Sequence, residues 1–387
     1  MPHSHSGGAD RYRRDVTLLV GTHPSFLDHS AGEGHPERPA RLAAVARGLE
    51  SSGLGGEIRH FTPRPATRAE LVAVHDPAYL DALEEAAGRG GGRIDADTAF
   101  GAGSWEAALH AAGAGLDAVQ RLADGEGTAA FLALRPPGHH ARPATGMGFC
   151  LLNNVAVTAA ALASAGQRVC IVDWDAHHGN GTQEIFYDDA RILYVSLHQC
   201  PFYPGTGGRT EVGAGPGTWA TLNIPLPPGS AGDAYRMALA DLVLPRIAAF
   251  GPDWLLVSAG FDAHRDDPLC DLGLSAGDFG DLARAIGAAA PPGRCVAFLE
   301  GGYDLVALER SVAACAAGLV GATVVPEDPT SMGLGLDAVA AACRRWEGHV
   351  AAGPAQGGAG RSADGAGRST DGATRGGAPG GHYPRRA

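Results

Sequence analysis

Lysine is absent: all 30 basic residues of this 387-residue chain are arginines. Without an ε-amine, neither a Walker phosphate-binding lysine nor a Schiff-base mechanism is open to it. Cysteine pairing is missing too. Cys150, Cys170, Cys200, Cys270, Cys295, Cys315 and Cys343 are odd in number and form no Cys-x-x-Cys. That excludes a disulfide scaffold and a cysteine zinc finger, and it predicts buried thiols in a reducing, cytoplasmic compartment. The formal net charge of −12 excludes a protein that holds nucleic acid by neutralising phosphates. No apolar run approaches the roughly 18 residues of a membrane span, and residues 1–14 lack the apolar stretch of a signal peptide.

Hydrophobic residues, by contrast, make up 45% of the chain, enough for a large core. From about Ala351 onward the chain is mostly Gly, Ala, Arg, Ser, Asp and Pro without periodicity; residues 347–387 and 1–14 are expected to be disordered. Between them, 15–346 should form one α/β domain, because strand and helix signals recur throughout. Strands are expected at 15–20, 191–198 and 221–224, and helices at 35–51, 104–123, 153–165, 231–250, 275–290 and 305–319. Residues 68–88 read as helix-like stretches broken at Asp76-Pro77. The Gly/Pro-rich segment 199–228 is long for a compact domain, which marks a functional loop.

The chemistry concentrates at strand ends. Arg-Val-Cys-Ile-Val (168–172) reads as a buried parallel strand, and it runs into Asp173-Trp-Asp175-Ala-His177-His178-Gly179-Asn180. Carboxylates there are costly unless paired or metal-bound. Asp175 and His177, two apart on extended backbone, point the same way, and their donors suit zinc, iron or manganese. A capped turn with local hydrogen bonds is the competing reading of this cluster alone. Three further apolar runs, however, end the same way. Residues 128–134 lead into Arg135-Pro-Pro-Gly-His139-His140, 253–260 into Phe261-Asp262-Ala-His264, and 294–299 into Glu300-Gly301-Gly302-Tyr303. If the four strands lie side by side and parallel, their polar tails meet in one cleft. A ligand pair, a third carboxylate, two imidazoles and a phenol are the parts of a metal-assisted hydrolase.

These segments, together with His35-Pro-Glu-Arg-Pro, Gly146-Met-Gly-Phe-Cys and Tyr203-Pro-Gly-Thr-Gly, resemble the histone deacetylase family. The likeness spans about Gly21 to Leu319 and is to bacterial members near the class II enzymes. That group includes acetylpolyamine amidohydrolases and acetoin-utilisation proteins. The resemblance implies a single arginase-like α/β domain with an eight-stranded parallel sheet flanked by helices. It implies zinc on Asp175, His177 and Asp262, and removal of acetyl groups from acetyl-lysine side chains. His140 would be the base and then the acid, with Asn180 orienting it. His139 would supply electrostatic stabilisation through Asp173, and Tyr303 would donate to the developing oxyanion. Where some relatives have Asp, Asn180 lends His140 less basicity. Gly148, Phe149 and Tyr203 would line an acyl-lysine channel, with Asp97 at its rim and Arg41 beside an exit cavity beneath the metal. Asp173, Asp175, His177, Ser196 and Leu197 match a potassium site.

Two rivals make distinct demands. An arginase-type hydrolase with two manganese ions needs carboxylates where this chain has Gly179 and His264. A catalytically dead acyl-lysine reader would have lost one of the ligands, histidines or phenol, and all six are here. Polyamine-selective relatives tend to carry a carboxylate at the channel mouth, where this chain has Leu269; Asp95, Asp97, Asp266 and Asp267 could still attract a cation. Acetylated protein lysines are therefore the expected partners, with acetylated small amines as the alternative, and neither nucleic acid nor membrane.

Overall fold

The computed structural model describes residues 16–352. In chain order its elements are β1 (Leu18–Gly21), α1 (Ala40–Ser51), β2 (Ile58–Phe61), α2 (Arg68–Leu71), α3 (Pro77–Gly88), β3 (Gly91–Arg93) and β4 (Ala99–Gly101). There follow α4 (Ser104–Ala123), β5 (Ala129–Leu132), α5 (Asn154–Ser164), β6 (Val169–Asp173), α6 (Asn180–Ile185), β7 (Ile192–Gln199) and β8 (Thr221–Leu226). The remainder are α7 (Gly232–Ala238), α8 (Leu244–Phe250), β9 (Trp254–Ala259), α9 (Ala276–Ala289), β10 (Cys295–Leu299), α10 (Leu305–Leu319) and α11 (Leu336–Ala352).

Eight strands form one parallel sheet in the order β2-β1-β5-β10-β9-β6-β7-β8, and β3 pairs antiparallel with β4 beside it. Alternation along the strands feeds two apolar cores, one on each face. Leu18, Val20, Val172, Val257 and Leu299 belong to one; Leu19, Leu132, Ile171, Leu256 and Phe298 belong to the other. Helices α1, α9 and α10 pack together over the first face, and α4 packs on α5 over the second. This is the three-layer arrangement that buried parallel strands require. The four strands expected to lie together do so: β5, β10, β9 and β6 are consecutive in the sheet centre.

Several boundaries differ from the sequence expectation. Helix α1 begins at Ala40 because His35 to Pro39 is held in a turn, with Nδ1 of His35 3.1 Å from the Glu37 amide. Strand β2 went unpredicted: its Ile-Arg-His-Phe lacks an apolar run because it is an edge strand with two exposed residues. The 231–250 helix is three pieces, with a π-helical turn at Leu239–Val243 between α7 and α8. Helix α11 continues to Ala352, past the start of the stretch expected to be disordered; residues 1–15 and 353–387 lie outside the described residues.

Candidate active site

At the carboxyl end of β6, Asp175 and His177 meet Asp262, which follows β9. Nδ1 of His177 lies 3.1 Å from Oδ1 of Asp175 and 2.9 Å from Oδ2 of Asp262. All three residues are buried, and one donor atom from each lies within 4.8 Å of the others. Backbone amides steer the carboxylates: Ala176 donates to Asp262 (2.8 Å), while His177 and Gly301 donate to Asp175 (2.9 Å each). Only glycine fits at 301, since a Cβ there would run into both carboxylates. Burial opposes charge on His177, yet its bonds to the two carboxylates raise the imidazole to about 10. Burial and the neighbouring Asp175 push Asp262 up. Two carboxylates this close demand a cation, and two oxygens with one imidazole nitrogen form a donor set that fits zinc. Three protein donors leave coordination positions open, as catalytic rather than structural sites do.

The tandem histidines after β5 stand beside this cluster, their rings 4.1 Å apart. His139 pairs through Nδ1 with Oδ2 of Asp173 at 3.0 Å, and Asp173 also accepts the Tyr194 hydroxyl at 3.1 Å. Nδ1 of His140 faces Oδ1 of Asn180 at 2.8 Å. These settings push the two imidazoles in opposite directions. Full burial disfavours charge on His139, but Asp173 and Asp175 overcome it and raise the pKa well above the ordinary value. His140 is lowered by burial and by the cationic neighbours His139 and His177. Beneath the pair, Glu300 accepts the amides of Gly138 (2.7 Å) and His139 (3.2 Å) and the Ser258 hydroxyl (3.1 Å). Burial raises its carboxyl to about 7.

Tyr303, after β10, stands edge-on to Phe149 with ring centroids 5.7 Å apart. Gly148 and Phe149 take positive φ (54° and 68°), a turn that lays the glycine against the His140 ring, where a Cβ would collide. Tyr203 meets His140 edge-on at 5.3 Å, and Phe202, not singled out from sequence, stacks on His177 at 4.9 Å. Asp97 is half-buried; its carboxyl is raised to about 6 by burial and by Asp95. Leu269 sits in the loop after Asp262, its amide donating to Asp267 (3.0 Å). Asp267 itself turns inward to accept the Tyr303 amide at 2.6 Å. Ser196 and Leu197 are buried on β7, with Ser196 in register with Asp173. His178 bonds to Thr206 (2.7 Å) and Gln183 (3.0 Å) and takes no part in the donor cluster.

Arg41 lies fully buried under Tyr303, its guanidinium 5.0 Å from the ring, and not on the helix surface. Its Nε donates to the Gly302 carbonyl (2.7 Å) and its Nη1 meets Glu37 at 3.3 Å. Glu37 also receives Arg135 through two bonds, of 2.5 and 2.7 Å. Sequence reading missed the work of Glu37, Arg135, Asp267 and Glu300, although Glu37, Arg135 and Glu300 each stand inside a quoted motif. A second donor group among the described residues, His264 with Asp266 and Glu327, is already compensated by Arg265 and Arg310 on Glu327.

Known proteins resemble this chain over most of its length. Residues 35–319 match the model of the histone deacetylase domain. A "probable deacetylase" of Archaeoglobus fulgidus is 42% identical over 296 residues, 75% of this chain and 82% of that one. A "histone deacetylase-like amidohydrolase" of Pseudomonas aeruginosa is 38% identical over 296 residues, 75% and 77% of the two chains. The crystal structure titled "HDA15 HD domain" superposes with a TM-score of 0.79 at 37% identity, covering 85% of this chain and 94% of that one.

Proposed function

This chain belongs to the histone deacetylase family, and from that premise we propose that it is a zinc-dependent deacetylase of acetyl-lysine side chains. The observation that carries the reading is the convergence of Asp175, His177 and Asp262 beside two differently partnered imidazoles and a phenol. Asp175, His177 and Asp262 would hold the zinc ion, which when bound polarises the amide carbonyl and brings a water's pKa toward neutrality.

The chain's own groups divide the remaining work. With Nδ1 of His140 committed to Asn180, its Nε2 takes the proton of the attacking water and later delivers it to the leaving amine. Its lowered pKa keeps the His140 ring neutral near pH 7, with that lone pair free. His139, backed by Asp173, stays cationic and favours the negative charge of the tetrahedral centre. Tyr303 donates its hydroxyl proton in a hydrogen bond to the carbonyl oxygen as that oxygen becomes an oxyanion. Gly148, Phe149 and Tyr203 enclose the acyl-lysine stem and exclude water, with Asp97 at the rim and Arg41 below. A potassium ion beside Asp173, Asp175, His177, Ser196 and Leu197 would brace the same loop.

Lysine-bearing proteins are favoured over acetylpolyamines because Asp267 faces inward to the backbone and Leu269 carries no charge for a distal ammonium. Among the described residues no helix is long and apolar enough to cross a membrane. No disulfide joins the seven cysteines, the state expected in a reducing, cytoplasmic compartment. The test is acetate release from acetyl-lysine peptides, acetylputrescine and acetylspermidine, before and after chelation and zinc repletion. Loss on chelation and return with zinc, with peptides preferred, is expected. Activity that persists without metal, or far greater efficiency on acetylpolyamines, overturns the reading.

A further inference from the structure

His140 works as a base only if its ring proton sits on Nδ1, which leaves the lone pair on Nε2. A carboxylate partner would enforce that tautomer, because an ionised carboxylate only accepts hydrogen bonds. This chain has an amide at 180, and an amide does not choose. With Oδ1 toward His140 the ring must donate from Nδ1; turned over, Nδ2 would donate to Nδ1 and move the ring proton to Nε2. Something must therefore hold the amide.

On its far side Nδ2 of Asn180 donates to the thioether sulfur of Met147 at 3.3 Å. A thioether has no proton to give, so it can face only the NH₂ end of the amide. Met147 is itself held in place: its amide donates to Cys150 (3.1 Å) and its carbonyl accepts from Cys150 (2.9 Å). That bridge closes the turn that also carries Gly148 and Phe149. Met147 and Asn180 also line an open cavity of about 610 Å³ with Arg142, Gln183, Tyr187 and Pro204. Water there can donate or accept and so imposes no orientation on the amide. Met147 does.

We propose that Met147 is a positioning residue that locks the Asn180 amide, and through it the base-competent tautomer of His140, a role that rests on the deacetylase reading above. The lock is needed only because an amide stands at 180. Met147→Leu keeps the volume and removes the acceptor. With the wild-type amide, it should lower kcat about threefold to tenfold, the size of one net hydrogen bond, and leave KM unchanged. In an Asn180→Asp background, which needs no orienting, the same substitution should change kcat by less than about twofold.

Nitrogen-15 NMR of the His140 ring in metal-free protein reads the tautomer without any activity. Wild type should show the proton on Nδ1, and Met147→Leu a mixture of both forms. An unchanged ring spectrum in Met147→Leu overturns the proposal, as does an equal kcat loss in both backgrounds. If no preparation hydrolyses acetyl-lysine, the deacetylase reading fails, while the ring spectrum still decides whether the lock exists. If the aspartate variant does not fold, the single-variant spectrum decides alone.

Discussion

The same substitution, Glu→Gln opposite a two-pronged arginine, should differ several-fold in cost between two places in this molecule. Glu37 and Glu70 each bind an arginine through both oxygens, Arg135 at 2.5 and 2.7 Å and Arg64 at 2.6 and 2.9 Å. The first pair is completely buried; in the second, the arginine is 43% and the glutamate 25% exposed. Glu37 also faces Arg41, so the buried cluster carries two guanidinium ions and one carboxylate. Glu37→Gln leaves both cations without a counter-charge in a region that water does not reach. Breaking such a set costs about 3–5 kcal/mol, a large share of a typical stability of about 5–15 kcal/mol.

At the surface pair, Arg64 regains water, and glutamine can keep the cap that Glu70 makes on Thr67. Glu70→Gln should therefore cost no more than about 1 kcal/mol. Urea unfolding near neutral pH, with both variants against wild type, measures the difference. The buried contribution also has a definite pH sense. Burial opposes the charged form, but bonds to His29 and Arg135 hold the Glu37 carboxyl well below its ordinary value. Its stabilisation is complete above the unfolded carboxyl pKa of about 4.3 and fades as pH falls below it. Costs within about 1 kcal/mol of each other would refute the reasoning, because burial would then not set the value of an ion pair here.

Three further outcomes are expected. His75 is buried with Nδ1 on the Arg142 carbonyl and Nε2 accepting the Asn153 amide, and burial lowers its pKa from 6.5 to about 4. Stability tied to it is full above pH 6.5 and falls by roughly 3 kcal/mol as pH drops through 4 (2.5 units); an NMR titration of the ring with a midpoint near 6.5 would contradict this. Gly48→Ala should destabilise by about 1–3 kcal/mol although alanine is the better helix former, because its Cβ would strike the Glu309 carbonyl where α1 crosses α10; calorimetry should show a lower Tm. Tyr303→Phe should reduce kcat about 10²–10³-fold with little change in KM; a drop below tenfold would remove the phenol from the oxyanion role.

Much of this molecule was legible in the chain. The central strands announce themselves as apolar runs because a parallel strand is buried on both faces, and each reactive group follows such a run directly. Local order along the sequence thus determined which residues stand at the strand ends, that Asp175 and His177 lie side by side there, and that the chain keeps Gly179 and His264 where a two-metal site would need carboxylates. What only the tertiary structure decided lies across elements. Periodicity carries no signal for an edge strand such as Ile58–Phe61, whose two middle residues, Arg59 and His60, are both exposed. Nor could spacing show that Glu37 would be shared between Arg41 and Arg135, 98 residues apart from the latter in sequence. The thioether of Met147 reaches Asn180 across 33 residues, and Asp267 takes the Tyr303 amide across 36. Hydrogen bonds of this kind depend on the direction of single atoms after packing, which residue identity leaves open until the sheet brings its loops together.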